Sequence, residues 1–259
     1  MKTKLLFSIA LLFCFVKSLI AQTTFTVDNI NYEVTSSITP FTVKITGLVD
    51  RGVNSVTIPL TVTNNSKTYN VTKIGDYAFY GYSSLTSVSI SDSVTSIGQY
   101  AFRFCENLNT VSIGNSVTSI GDYAFDSCAN LTSVSNGNSV TSIGDWAFQN
   151  CKKLTSVSIG NSVAYIGYGA FRFCENLTSI SFGISVTSIR PFAFESCANL
   201  TSVSIGNSVT SIETYAFNNC KKLTSVSIGN SVTSIGDYAF ANCHALTSFT
   251  CLATTPPIL

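Results

Sequence analysis

Leu108-Asn-Thr-Val-Ser-Ile-Gly-Asn-Ser-Val-Thr-Ser-Ile-Gly-Asp-Tyr-Ala-Phe-Asp-Ser-Cys-Ala-Asn130 is twenty-three residues long, and the same text starts again at Leu131. Working outward in both directions, the register never slips. Ala-Phe pairs recur from Ala78-Phe79 to Ala239-Phe240, eight in all, and a leucine recurs with them from Leu85 to Leu246. A cysteine follows three residues after each Phe from Cys105 to Cys243; Tyr82 stands there in the first copy. A fixed period of this length, with no insertion, predicts stacked rungs rather than a globular core.

Within one unit, Leu108-x-x-Val111-x-Ile113 alternates as a strand with one buried face. Gly114-Asn115 supplies a turn, and Val117 to Ile120 reads as a second extended piece. Asp122 is placed to cap a short helical turn through Tyr123-Ala124-Phe125 that ends near Cys128. In the sixth copy Pro191 stands at the Asp position, where proline suits a helix start. The expected fold is therefore a solenoid of short parallel strands with one helical turn per rung. Eight rungs at about 4.8 Å give a rod or shallow arc of about 40 Å.

The chain divides into four stretches. Residues 1–21 read as a secretory signal: Lys2 and Lys4, a short apolar run from Leu5 to Val16, and a cleavage position after Ala21. The run is too short to span a bilayer, so membrane insertion is not expected after cleavage. Cys14 lies inside the run and does not fit a lipoprotein site. Residues 22–70 hold short alternating strands and read as a β-rich amino-terminal cap. Within them, Val53-x-x-Val56-x-Ile58 matches the first strand of a repeat, and the extra length before Val71 predicts a hairpin turning at Asn64-Asn65-Ser66. Residues 71–251 are the eight repeats. Residues 252–259 form a tail without the repeat pattern, so the end of the array is expected to be cut short or covered by a partner.

Charge narrows the partners. Signal removal takes Lys2, Lys4 and Lys17 from 14 basic residues against 13 acids, turning a formal charge of +1 into about −2. With no basic run, nucleic acid is not an expected partner.

A second period overlies the first. Phe102-Arg103-Phe104-Cys105-Glu106-Asn107 returns as Phe171-Arg172-Phe173-Cys174-Glu175-Asn176, three repeats later. The array has grown by block duplication.

The unit resembles the leucine-rich repeats of the BspA-like, or treponemal, class. Cys128-x-x-Leu131, Ile143-Gly144 and Ala147-Phe148-x-x-Cys151 match that family's pattern in place, and the resemblance covers about 70% of the chain. It departs where the family often has Leu-Pro after the strand; here Ile-Gly-Asn stands. The resemblance implies a right-handed leucine-rich-repeat arc or horseshoe on a bacterial cell surface, or secreted. It also implies non-catalytic adhesion to proteins or glycans of a host, its matrix or neighbouring cells. It carries no family-wide catalytic or binding residues.

Few residues suggest chemistry. The seven repeat cysteines read as a column of buried free thiols, since no C-x-x-C pair is present and parallel stacked side chains do not face one another. His244, the only histidine, has no partner pattern. Asn136 replaces an inward Ile. No catalytic residue, metal site or cofactor is expected, and the chain does not read as an enzyme.

Charged side chains cluster around the cysteines, and adding one period pairs Arg103 with Asp126, Lys152 with Glu175, and Arg172 with Glu195. The candidate ligand contacts are Arg103, Phe104, Glu106, Lys152, Lys153, Arg172, Phe173, Glu175, Lys221 and Lys222. Phe104 and Phe173 lead this set, because other copies carry Gly, Ser or Asn there. The serine-rich strand (Ser87, Ser89, Ser112 and equivalents) is a second candidate face. The alternative to recognition is a structural spacer or an ice-binding type of surface, since Thr95-Ser96, Thr118-Ser119, Thr141-Ser142 and Thr210-Ser211 make hydroxyl rows that Ala164-Tyr165 interrupts.

Overall fold

The computed structural model describes residues 23–135 and 137–258. The signal read at 1–21 and the residue at 136 lie outside them.

Three strands begin the described chain: β1 (Thr24–Val27), β2 (Ile30–Ser36) and β3 (Thr42–Leu48), paired antiparallel in order. Then come β4 (Ser55–Ile58), β5 (Thr61–Asn64) and β6 (Lys67–Ile74). β5 and β6 form a hairpin through Asn65 and Ser66, whose φ values of 49° and 62° give the mirror-image turn that suits strand twist. β3 lies parallel to β6, and β4 lies parallel to Ser87–Ile90 with Val56 opposite Val88. Tyr82, in the cysteine position of the first repeat, joins the two parts: its buried hydroxyl accepts the Leu48 amide at 3.0 Å.

Each rung then contributes two short strands. One row runs from Ser87–Ile90 to Ser248–Cys251, the other from Ser96–Ile97 to Ser234–Ile235. Partners differ by one period, as Ser119 with Ser142 and Val111 with Val134. The rows are not continuous. Pairing in the first row lapses between Ser133–Ser135 and Ser156–Ser158, and again between Ser179–Ser181 and Ser202–Ile205. The second of these gaps follows Phe182, which stands where most rungs carry Ile. In the second row it lapses between Tyr165–Ile166 and Ser188–Ile189.

The expected helical turn is absent: no helix occurs among the described residues. Two residues per rung adopt left-handed backbone, four apart, as Tyr123 (φ 55°) and Ser127 (φ 60°) do. That breaks any helix and costs roughly 1–2 kcal/mol per residue outside glycine. In return, alternate amides point along the stack. Tyr123, Phe125 and Ser127 donate to the carbonyls of Asp145, Ala147 and Gln149 at 2.8, 2.7 and 2.8 Å. The amides between them close turns within the rung, as Ala124 to Gly121. This turn column bridges every junction from Phe79–Ala101 to Phe217–Ala239, including those where a strand row lapses. Asp-Tyr-Ala-Phe is locally compatible with a helix, but the neighbouring rung offers its amides better-placed partners.

The core is a stack of equivalent side chains: Val111, Ile113, Val117, Ile120, Phe125, Cys128 and Leu131 in one rung, all buried. Phe79 and Phe102 open a column of parallel rings at 4.9 Å that runs through Phe148–Phe171 at 5.2 Å to Phe217–Phe240 at 5.3 Å. The repeat cysteines are free and buried, each thiol donating to the Phe carbonyl of the rung before, as Cys128 does to Phe102 at 3.1 Å. Among the described residues no helix is long and apolar enough to cross a membrane.

Candidate recognition surface

The turn column sets where the variable side chains emerge. Residues flanking each left-handed position leave the rung at its edge, one directly over the next. Arg103 donates through Nε to Asp126 Oδ2 at 2.7 Å, and its guanidinium lies 4.5 Å from the Phe104 ring centre. Asp126 is almost fully buried, and Ser127, Gln149 and Asn150 donate to its other oxygen. Arg172 ion-pairs with Glu195 and covers Phe173 at 4.4 Å. Lys152 and Glu175 meet at 3.6 Å, both more than half exposed. All three cross-rung pairs expected from the period are therefore formed; only the exposed one is worth little, about 0–1 kcal/mol.

Phe104 and Phe173 are half-buried rather than free-standing. Phe104 meets Tyr80 edge-on at 5.6 Å and is roofed by Arg103. Each is the floor of a guanidinium–aromatic cluster, and the two clusters sit three rungs apart. Glu106, Lys153, Lys221 and Lys222 are exposed. Lys153 borders a shallow polar groove with Asn107, Asn109, Asn130 and Thr132.

One feature of this face went unread in the sequence. The residue before each Ala-Phe is nearly always aromatic, and these rings stack: Tyr77–Tyr100 at 4.8 Å, Tyr100–Tyr123 at 5.0 Å, Phe192–Tyr215 at 5.2 Å, Tyr215–Tyr238 at 5.0 Å. The signal was available as an aromatic every twenty-three residues. Gly169 interrupts it, and Trp146 leans into the space to within 6.5 Å of Phe192. A Cβ on Gly169 would lie 2.0 Å from the indole, at a φ of +52°.

Gly169→Ala is expected to cost about 2–4 kcal/mol from overpacking and left-handed strain. The melting temperature should fall by about 5–10 °C. Trp146→Tyr in the same chain should recover more than half of that loss; simple additivity in thermal circular dichroism would remove this account of the Trp–Gly pairing.

The threonine rows are bound to themselves. Thr95, Thr118 and Thr141 each donate their hydroxyl hydrogen to the preceding rung's carbonyl at 3.1, 3.0 and 3.0 Å. They act first as staples between rungs. The strand serines form the opposite kind of face, a shallow uncharged trough lined by Ser87, Ser89, Ser112 and Ser135.

Burial pushes the Cys105 thiol up to about 12 and raises Cys128, Cys151 and Cys174 as well. They are inert apolar neighbours rather than nucleophiles. No group of three or more potential metal ligands occurs among the described residues.

Stacked rungs of twenty-three residues, each carrying the Leu, Ala-Phe and Cys columns and two short parallel strands, define a leucine-rich-repeat solenoid. The chain belongs to the BspA type leucine rich repeat family, whose pattern matches residues 72–200 and 141–255 in six copies. Among solved structures it is similar to a leucine-rich repeat protein from Bacteroides ovatus ATCC 8483, 32% identical with a TM-score of 0.77. That match covers 84% of this chain and 56% of the other, so the chain spans little more than half that protein's length. It is also similar to the T. pallidum leucine rich repeat protein (26% identical, TM-score 0.63, covering 86% and 90% of the two chains). The pneumococcal vaccine antigen PcpA shares the fold at 18% identity and a TM-score of 0.54, covering 88% of this chain and 69% of its own. A comparison with curated proteins finds no match.

Proposed function

We propose that this protein is a secreted or cell-surface recognition module that binds protein or glycan on a host, its matrix or neighbouring cells, without catalysis. The observation that carries this reading is the edge where Arg103, Phe104, Lys152, Arg172 and Phe173 emerge. Rungs otherwise almost identical differ there, and guanidinium–aromatic pairs hold the side chains in fixed positions. Aromatic and Arg side chains with restricted motion are the residue types that carry binding energy at interfaces. Membership of a leucine-rich-repeat family supports the same reading. In it, residues 1–21 direct export, and residues 22–70 close one end of the repeats at 71–251.

The test is a binding screen of the chain from residue 22 onward against immobilised glycans and matrix proteins, beside Phe104→Ser/Phe173→Ser. The double variant is expected to weaken captured binding by about tenfold or more, as loss of two anchors should. Binding untouched by the variant would move the contact to the serine-lined trough. A folded chain that binds nothing would leave the spacer role.

A further inference from the structure

The rung around residues 163–192 departs from its neighbours in a concerted way. Tyr165 stands where Ser96, Ser119, Ser142, Ser188, Ser211 and Ser234 stand in six other copies and Lys73 in the first, and Arg190 stands in a position held by Gly75, Gly98, Gly121, Gly144, Gly167 and Gly236 in most copies and by Glu213 in the next one. In an array built by copying, two large side chains at two small-residue positions are brought into contact by one junction. The Arg190 guanidinium lies 5.4 Å from the Tyr165 ring centre and 5.2 Å from that of Tyr168. The Tyr165 hydroxyl donates to Asp145 Oδ1 at 3.1 Å, and the same oxygen accepts the Tyr168 amide at 2.8 Å.

The result is a ring fixed from two sides. Arg190 stacks on it from the following rung, and Asp145 holds its hydroxyl from the preceding one. Its strand neighbour toward the amino end is only Ser142, and 39% of Tyr165 stays exposed. No structural duty requires this: six other rungs fill the same place with serine. Two planar polar groups stand beside the ring: the Arg190 guanidinium and the Asp145 carboxylate.

We propose that Tyr165 is the platform of a glycan-binding subsite, taking a neutral pyranose of a polysaccharide. This rests on the recognition reading above and narrows it. A pyranose offers an apolar C–H face to an aromatic ring and a rim of hydroxyls that both donate and accept. Guanidinium and carboxylate groups beside a fixed ring match that rim. Mixed charge of both signs, set among uncharged Ser and Thr rows, suits a neutral ligand better than a strongly acidic or basic peptide. A ring already immobilised by Arg190 and Asp145 also loses little freedom when a sugar stacks on it.

The probes are laminarin, xylan, mannan and dextran in affinity gel electrophoresis, run beside the matrix-protein arm of the screen described above. At least one polysaccharide should retard the chain, and Tyr165→Ser should weaken that retardation by about tenfold. Arg190→Gly should weaken it less, because it frees the ring without removing it. Both substitutions restore residues that neighbouring rungs carry, so folding is expected to survive; unchanged far-ultraviolet circular dichroism would confirm it. Equal retardation of the wild type and Tyr165→Ser overturns the subsite, and so does no retardation by any of the four. Equal retardation would leave glycan recognition standing at another face; with no retardation, binding in the protein arm would show that recognition itself stands, and its absence there would show that recognition has failed too.

Discussion

Phe148→Ala should lower stability by about 3–5 kcal/mol and split unfolding into two transitions. Phe148 is buried and stacks on Phe125 at 5.1 Å and on Phe171 at 5.2 Å, so truncation leaves a void with rings on both sides. The first strand row already lapses between Ser133–Ser135 and Ser156–Ser158, just where this ring sits. Phe148, Leu154 and Phe171 also line a small apolar pocket there with Val134 and Val157. Coupling between the two halves therefore leans on the turn column and the ring stack more here than elsewhere. In a stacked array stability is close to a sum of rung and junction terms, so one weakened junction separates two cooperative blocks. Urea titration followed by circular dichroism should show a second inflection absent from the wild type. A single transition with an unshifted midpoint would mean that the ring stack does not couple the rungs.

Alkaline pH should unfold the protein through its thiols. The fold favours the protonated form of the buried cysteines from Cys105 to Cys220, so their folded values lie above the unfolded one of about 9.0; for Cys105 burial moves it to about 12. Stability is thus complete below about pH 9 and falls as pH rises through the window from 9 to 12, the direction set by an acid whose neutral form is preferred in the core. Each such thiol contributes about 1.4 kcal/mol of loss per pH unit inside that window. Cys128 and Cys151 are raised as well, both by burial first. Cys128→Ala/Cys151→Ala should therefore cost some stability at pH 7 yet flatten the decline by about 3 kcal/mol per unit above pH 9. Chemical denaturation at pH 7, 9 and 10.5 measures both slopes. Parallel slopes for the two proteins would show that the thiols are not what titrates.

Much of this could be read before any coordinates, for a physical reason. When Ser119 and Ser142 occupy the same place in successive copies, the strand register and the ion pairs of Arg103, Lys152 and Arg172 follow by adding twenty-three. The hairpin at Asn65-Ser66 was legible because its residue types tolerate positive φ. The turn at Tyr123–Phe125 was misjudged as helical because local propensity sees only i to i−4 partners, whereas its amides bond to a rung that follows in sequence. The candidate edge was half legible. The ion pairs of Arg103 and Arg172 follow from the period, but roofing of Phe104 and Phe173 depends on side-chain direction, which spacing does not give. Tyr165 and Arg190 occupy different places in the repeat, so no single column of the period pairs them; only the junction does.

The direction of the turn column also bears on how the chain is made. Tyr123, Phe125 and Ser127 bond to carbonyls twenty-two residues ahead, and the equivalent groups in the rungs from Tyr77 to Asn219 do likewise. A rung leaving the ribosome therefore holds three amide hydrogens that have only water as acceptor until the next rung has emerged. Growth is vectorial, with each new rung quenching the one before it, so the nascent array is always one rung short of closure at its growing tip.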